Sequence, residues 1–153
     1  MDSRYGKKIA ASDFLVGRNY RLEYYSLQPK LTWQPSNKGR LNVTSQYAEK
    51  QNALGIETVV IRKLGVDFTL SSIEKGSVQG ELNYYQIQYN GSGTNSLSFE
   101  MLEGLSPGNN FTWSAGIQRT VAKNLQVNLI YNGRKPENIK AIHSGGVQVR
   151  ALF

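Results

Sequence analysis

The sequence predicts an all-β chain of antiparallel, up-and-down strands, about seven to eight of them, belonging to a transmembrane β-barrel. Three observations carry this. Apolar and polar residues alternate with a period of two in seven separate segments, the spacing of a strand with one greasy and one wet face. Compact turns alternate with longer loops along the chain. The polar stripes are built from amides and hydroxyls far more than from charges.

Size and composition set the frame. The 153 residues, 39% apolar and 10% aromatic, suit one domain with a sizeable core and rule out an obviously disordered chain. No stretch approaches the roughly 18 consecutive apolar residues that a spanning helix needs. A helical membrane protein is therefore excluded, while alternating barrel strands escape such a search because each lipid-facing residue is followed by a lumen-facing one. The absence of cysteine removes disulfides, thiolate metal sites and cysteine nucleophiles. The formal charge of +7 is dispersed, with no basic run longer than Lys7-Lys8, Arg62-Lys63 or Arg134-Lys135, so no nucleic acid is expected as a partner.

Residues 1–20 read as an N-terminal segment forming a loop or a partial strand, and 21–153 as the antiparallel β-barrel strands. The first strand aligns Tyr25, Leu27, Pro29, Leu31 and Trp33 on one face, and Pro29, lacking a donor, demands an edge or a bulge. The second offers Leu41, Val43 and Tyr47. The third offers Leu64, Val66, Phe68 and Leu70, with Thr58 to Ile61 as a β-branched extension. The fourth places Val78, Gly80, Leu82 and Tyr84 together, then switches phase at Ile87 and Tyr89, where a bulge is expected. The fifth has Phe111, Trp113, Ala115 and Ile117, and the sixth Leu125, Val127, Leu129 and Tyr131. The seventh aligns Gly145, Val147, Val149, Ala151 and Phe153. Residues Lys8 to Val16 are a weak eighth candidate, interrupted by Ser12 and Asp13.

The compact connections are Pro35 to Gly39, Ser72 to Gly76 and Thr120 to Asn124; the longer ones are Gln51 to Arg62, Asn90 to Asn110 and Gly133 to Ala141. Short turns at one end and long loops at the other are the habit of outer-membrane barrels, with the short turns periplasmic. With Phe153 on the periplasmic side, Tyr25, Tyr47, Tyr84, Phe111, Trp113 and Tyr131 fall near the outer rim and Trp33, Phe68 and Phe153 near the inner one, as two interfacial aromatic girdles. A soluble β-barrel or sandwich binding module with an apolar interior shows the same alternation. The polar face favours the membrane barrel. Its few charges are Lys30, Arg40, Lys63, Asp67, Glu81 and Arg150, whereas a water-facing surface usually carries about 25–35% charged residues.

From about Gly17 onward the chain resembles the C-terminal strands of large, uncharacterised outer-membrane β-barrel proteins of the Bacteroidota. The resemblance is carried by Tyr24–Pro35 (YYSLQPKLTWQP), Phe99–Trp113 (FEMLEGLSPGNNFTW), Tyr131–Lys135 (YNGRK) and His143–Phe153 (HSGGVQVRALF). It implies a bacterial outer-membrane location and a structural, passive-pore or uptake-related role. It also implies that the stripe Gly145, Val147, Val149, Ala151, Phe153 is the assembly signal read by the barrel-insertion machinery. Members of that group are longer, with a signal peptide and an N-terminal region. The first residues here lack the apolar core of a signal peptide. The expectation is a C-terminal portion of a larger barrel, its sheet closed by upstream strands or by another copy, with outer-membrane lipid as the surrounding partner.

Catalytic chemistry is thinly represented, and neither an enzyme nor a cofactor is expected. His143 is the single histidine, so one chain cannot build a two-histidine metal site. A rim hydrolase would need His143 and Ser144 with Glu100, Glu103 or Glu137, yet neighbours on a strand point to opposite faces. Asn90 to Asn95 is glycine-rich without the Lys-Ser/Thr of a phosphate loop. Glu100 to Leu105 reads as a short helical turn or hairpin arm that packs a loop on the barrel rim, with an extracellular contact surface as its functional version.

Overall fold

The computed structural model describes residues 2–10, 20–53, 55–72, 76–91, 96–122 and 124–151. Among the described residues, nine strands and one short helix follow one another: β1 (Asp2–Ala10), β2 (Tyr20–Gln28), β3 (Lys30–Ser36), β4 (Gly39–Asn52), β5 (Thr58–Ser72), β6 (Gly76–Asn90), α1 (Ser96–Met101), β7 (Gly108–Ala122), β8 (Leu125–Pro136) and β9 (Ile142–Ala151). All strands belong to one antiparallel, up-and-down sheet in the order β1-β2-β4-β5-β6-β7-β8-β9, with β3 also on β4. The sheet is open, and β1 and β9 are its edges.

Strands β2 and β3 are one ribbon interrupted at Pro29. Both pair with β4 in a single register, from Tyr25↔Glu49 through to Trp33↔Leu41, and the Pro29 carbonyl still accepts the Ser45 N–H at 3.1 Å. A residue of an antiparallel strand turns its N–H and C=O to the same neighbour, so the missing Pro29 donor faces Ser45, and the ladder on β4 is interrupted there, between Leu27↔Tyr47 and Lys30↔Thr44. With β1 in place the sheet has eight strand positions, one more than the seven segments of clear alternation. The part of the weak eighth candidate that lies in 11–16 falls outside the described residues.

The strands run further than their alternation suggested, so the connections shrink. β4 and β5 are joined through 53–57, β8 and β9 through 137–141, and α1 lies in the connection between β6 and β7. The turn at Asn37 and Lys38 is compact; the middles of the Ser72–Gly76 and Thr120–Asn124 turns, and 92–95 of the glycine-rich loop, lie outside the described residues, as does Phe153.

The expected bulge near Ile87 and Tyr89 is absent. β5 and β6 pair in unbroken register from Thr58↔Asn90 to Ser72↔Gly76. The phase switch has another cause: the face that is polar near the turns becomes apolar near the loops. There, Leu22, Ala48, Val59, Ile61 and Ile87 of the sheet are buried beneath Leu97, Met101 and Leu102. Leu97 and Met101 are one helical turn apart and so share a face of α1. Burial of each such side chain stabilises by about 1.5–3 kcal/mol, which makes this cluster the principal core among the described residues.

Candidate functional site

Strand register sorts the side chains onto two faces. One, the apolar face, carries Leu31 and Trp33 of β3, Leu64 to Leu70 at alternate positions of β5, Val78 and Leu82 of β6, and Leu129 and Tyr131 of β8. No second layer covers it among the described residues. Trp33 is 62% exposed, Leu82 54% and Val147 70%. Tyr25, Tyr47, Tyr84, Phe111 and Trp113 lie on this same face, as do Gly145, Val147, Val149 and Ala151 of β9.

The aromatic residues of the loop-side edge form a descending series. Following the pairing from Tyr131 across Ala115, Gly80, Phe68 and Leu41 leads to Trp33, eight residues beyond Tyr25 in the same ribbon. Between β2 and β8 the apolar band has therefore slid eight residues over five strand steps. With about 3.3 Å per residue and about 4.8 Å between strands, that offset corresponds to a tilt of roughly 45–50°. A level cut through a barrel of tilted strands produces such a stagger, at a tilt of about 35–45° in membrane barrels. The apolar stretch runs nine residues in Tyr25–Trp33 and eleven in Phe111–Val121, and seven in Leu41–Tyr47, Leu64–Leu70 and Val78–Tyr84, against the roughly 9–11 residues of a tilted spanning strand.

Beyond that edge the apolar face becomes polar, with Glu49 and Gln51 on β4, Arg62 on β5 and Gln86 and Gln88 on β6. Arg62 donates to Gln86 Oε1 at 3.3 Å. Arg119 interrupts the band near the turn end of β7. Within the edge, the Tyr84 and Phe111 rings are 5.0 Å apart. Tyr131 OH and His143 Nδ1 are 2.7 Å apart, and the His143 ring is 5.6 Å from that of Trp113.

The opposite face is polar through its turn-side half. Thr32, Asn42, Asp67, Glu81, Ser114, Asn132 and Ser144 stand directly opposite one another on successive strands, an unbroken polar row. Thr32 Oγ1 donates to Asn42 Oδ1 at 2.8 Å, and Asn42 Nδ2 donates to Asp67. Asn83 Nδ2 donates to Glu81 Oε1 at 2.8 Å and to Thr112 Oγ1 at 3.2 Å. Lys63 Nζ lies 5.3 Å from the centre of the Tyr85 ring, a cation–π contact. These side chains hydrogen-bond laterally along the face.

Beyond the row, toward the loop end of the strands, α1 lies on this polar face. Lys50 fixes its end, donating to the Met101 carbonyl at 3.2 Å and pairing with Glu103 Oε1 at 2.7 Å. Glu103 has φ 56°, a left-handed conformation at the helix end, with Gly104 following at φ 74°. Asn110 Nδ2 holds the return of the chain through the Ser106 carbonyl at 2.7 Å. A cleft of about 330 Å³ remains beside α1, lined by Tyr24, Ser26, Gln28, Gln46, Lys50 and Glu103. Sequence alternation alone did not find this packing. The signal was present in the inverted phase of Val59, Ile61, Ile87 and Tyr89, matched by the helical spacing of Leu97 and Met101.

The elements of a rim hydrolase are dispersed. His143 engages Tyr131 on the apolar face, while Ser144 sits in the polar row. Glu103 is paired with Lys50, and Glu137 Oε2 accepts the Asn109 N–H at 2.8 Å. No group of three or more metal-ligating His, Cys, Asp or Glu side chains occurs among the described residues. No family model matches the chain, and neither a curated protein nor a solved structure matches it.

Proposed function

We propose that this chain forms strands of a transmembrane β-barrel in a bacterial outer membrane, as the C-terminal portion of a larger barrel, with a structural, passive-pore or uptake-related role. The observation that carries the reading is the uncovered apolar face whose aromatic border crosses the sheet diagonally. Lipid tails are the occupant that fits it: the band reaches the length of a spanning strand in Tyr25–Trp33 and Phe111–Val121, ends in tyrosine, phenylalanine and tryptophan, and gives way to charged and amide side chains beyond them. Along β4, β5 and β6 the uncovered face turns polar beyond the aromatic border while α1 covers the other face, which fits a band that ends where the strands leave hydrocarbon for water.

The remaining partners follow from the same reading. The open edges at β1 and β9 are closed by upstream strands or by another copy, since lipid does not tolerate unpaired backbone. The stripe Gly145, Val147, Val149, Ala151, Phe153 serves the barrel-insertion machinery during assembly.

Both tryptophans, Trp33 and Trp113, belong to the lipid-facing surface, which gives a direct test. The chain is refolded into vesicles of phospholipid brominated on its acyl chains, with Trp33→Phe and Trp113→Phe isolating each emitter. Quenching of both is expected. A chain that stays monodisperse without detergent, and whose emission ignores the bromine, ends the proposal.

A further inference from the structure

The buried apolar cluster of this protein lies on the face that is otherwise hydrophilic. In a barrel with its apolar face toward lipid, that hydrophilic face is the lumen wall. We infer that α1, with the turn that follows it, is an inward-folded constriction which narrows the loop-side end of the lumen. The inference rests on the barrel reading above and adds a restriction of passage to it.

Three features fix the element as a wall fitting rather than a loose loop. Met101 and Leu97 are buried against Val59, Ile61 and Ile87, which anchors α1 to the middle strands of the sheet. Lys50, on the same face of β4, grips the carbonyl of Met101 and the carboxylate of Glu103. Glu103 accepts a left-handed backbone to make that contact, a conformation that costs a non-glycine residue about 1–2 kcal/mol. Strands β4, β5 and β6 continue alongside α1 to Asn52, Thr58 and Asn90, so the helix is within the strand-lined section.

The bulk of α1 also bears on the size of the lumen. A helix with its side chains is about 10–12 Å across, whereas the interior of a barrel of about eight strands is filled by its own side chains. The eight strand positions cannot wrap around α1 by themselves. The lumen that α1 narrows is that of a wider barrel, completed along the free edges of β1 and β9.

Single-channel recording tests this. The full chain, in the barrel completed along β1 and β9, is compared with a variant in which residues 96–104 are replaced by a Gly-Ser linker, and with Leu97→Ser/Met101→Ser, which keeps the length but undocks the helix. Brominated-lipid quenching of Trp33 and Trp113, on the other face of the sheet, reports insertion of each. A rise in unit conductance of about two-fold or more is expected in both variants, the scale set by removing a body roughly 10–12 Å across from the open section. Equal conductance in all three, or no conductance in any, with both tryptophans quenched, overturns the constriction while leaving the barrel reading standing. Absent quenching in the unaltered chain removes both.

Discussion

The indole of Trp113 lies across Gly133, its direct partner on the neighbouring strand, in the space that a side chain at residue 133 would fill. Phe68 covers Gly80 in the same way. In both pairs the glycine lets a large ring lie flat on the apolar face, which thickens the band without disturbing the ladder, a form of aromatic cover over a strand glycine.

Gly133→Val should therefore expel the indole. Forcing a branched side chain into an occupied space costs about 1–3 kcal/mol. Denaturant unfolding in micelles should show that loss, and in a Trp33→Phe background the emission of Trp113 should shift. Unchanged emission would mean that the ring does not rest on Gly133.

Charge placed on the two faces should have opposite consequences. Leu82 stands near the middle of the apolar stretch of β6, while Ser114, opposite Glu81, belongs to the polar row. In lipid vesicles Leu82→Arg should destabilise by about 2–4 kcal/mol, the cost of a cation near the bilayer midplane. Ser114→Arg should cost little, since the new cation meets a carboxylate. A neutral Leu82→Arg would place that face in water.

Much of this architecture was legible in the alternation itself. Leu64, Val66, Phe68 and Leu70 face the same way as the period of two requires, and the pairing of β4 through β9 follows from adjacent segments joined by short connections. Pro29 announced the interruption of its strand through its missing donor. Two things escaped. β1 carries Lys7 and Lys8 and a weak stripe, so its pairing with β2 is a tertiary fact that local periodicity does not encode. The apolar residues Val59, Ile61 and Ile87 broke the expected phase and suggested a bulge, because a pattern read one strand at a time assigns one face to water throughout its length. Their partner, α1, lies in the connection after β6, and only the folded chain brings Met101 over them.

The turn at Glu103 offers a test in which two effects oppose each other. Glu103→Gln removes the ion pair with Lys50 but keeps the left-handed backbone, whereas Glu103→Gly removes the pair and relieves the conformation. The Gly variant should be the more stable of the two by about 1 kcal/mol. A double-mutant cycle with Lys50→Met should return a coupling of about 0.5–1 kcal/mol, because the Lys50 side chain is mostly buried while Glu103 is not. A coupling near zero would leave α1 held by its apolar contacts alone.

Proton uptake should loosen the β4–β5 connection at low pH. Glu57 Oε2 accepts the Asn52 amide at 2.9 Å, and this bond, with the backbone N–H of Glu57 itself, holds the carboxyl below its ordinary value against a small opposing effect of burial. The same loop is closed by Asn52 N–H on the Glu57 carbonyl at 3.0 Å. A depressed folded-state value means that the stabilisation is complete above the unfolded value of about 4.3 and is lost as pH falls through the folded one. Tyr89 titrates the other way. Burial, then the charge of Glu57, pushes its hydroxyl up, so the protonated form is favoured in the fold and its contribution disappears only as pH rises past about 10. Unfolding measured against pH should show the acid-side decline in the unaltered chain and not in Glu57→Gln. The same substitution should lower the titration of Tyr89, identified by its loss in Tyr89→Phe, because one of the two causes of its upward shift is gone. An acid-side decline of equal size in Glu57→Gln would assign the pH sensitivity to other carboxylates.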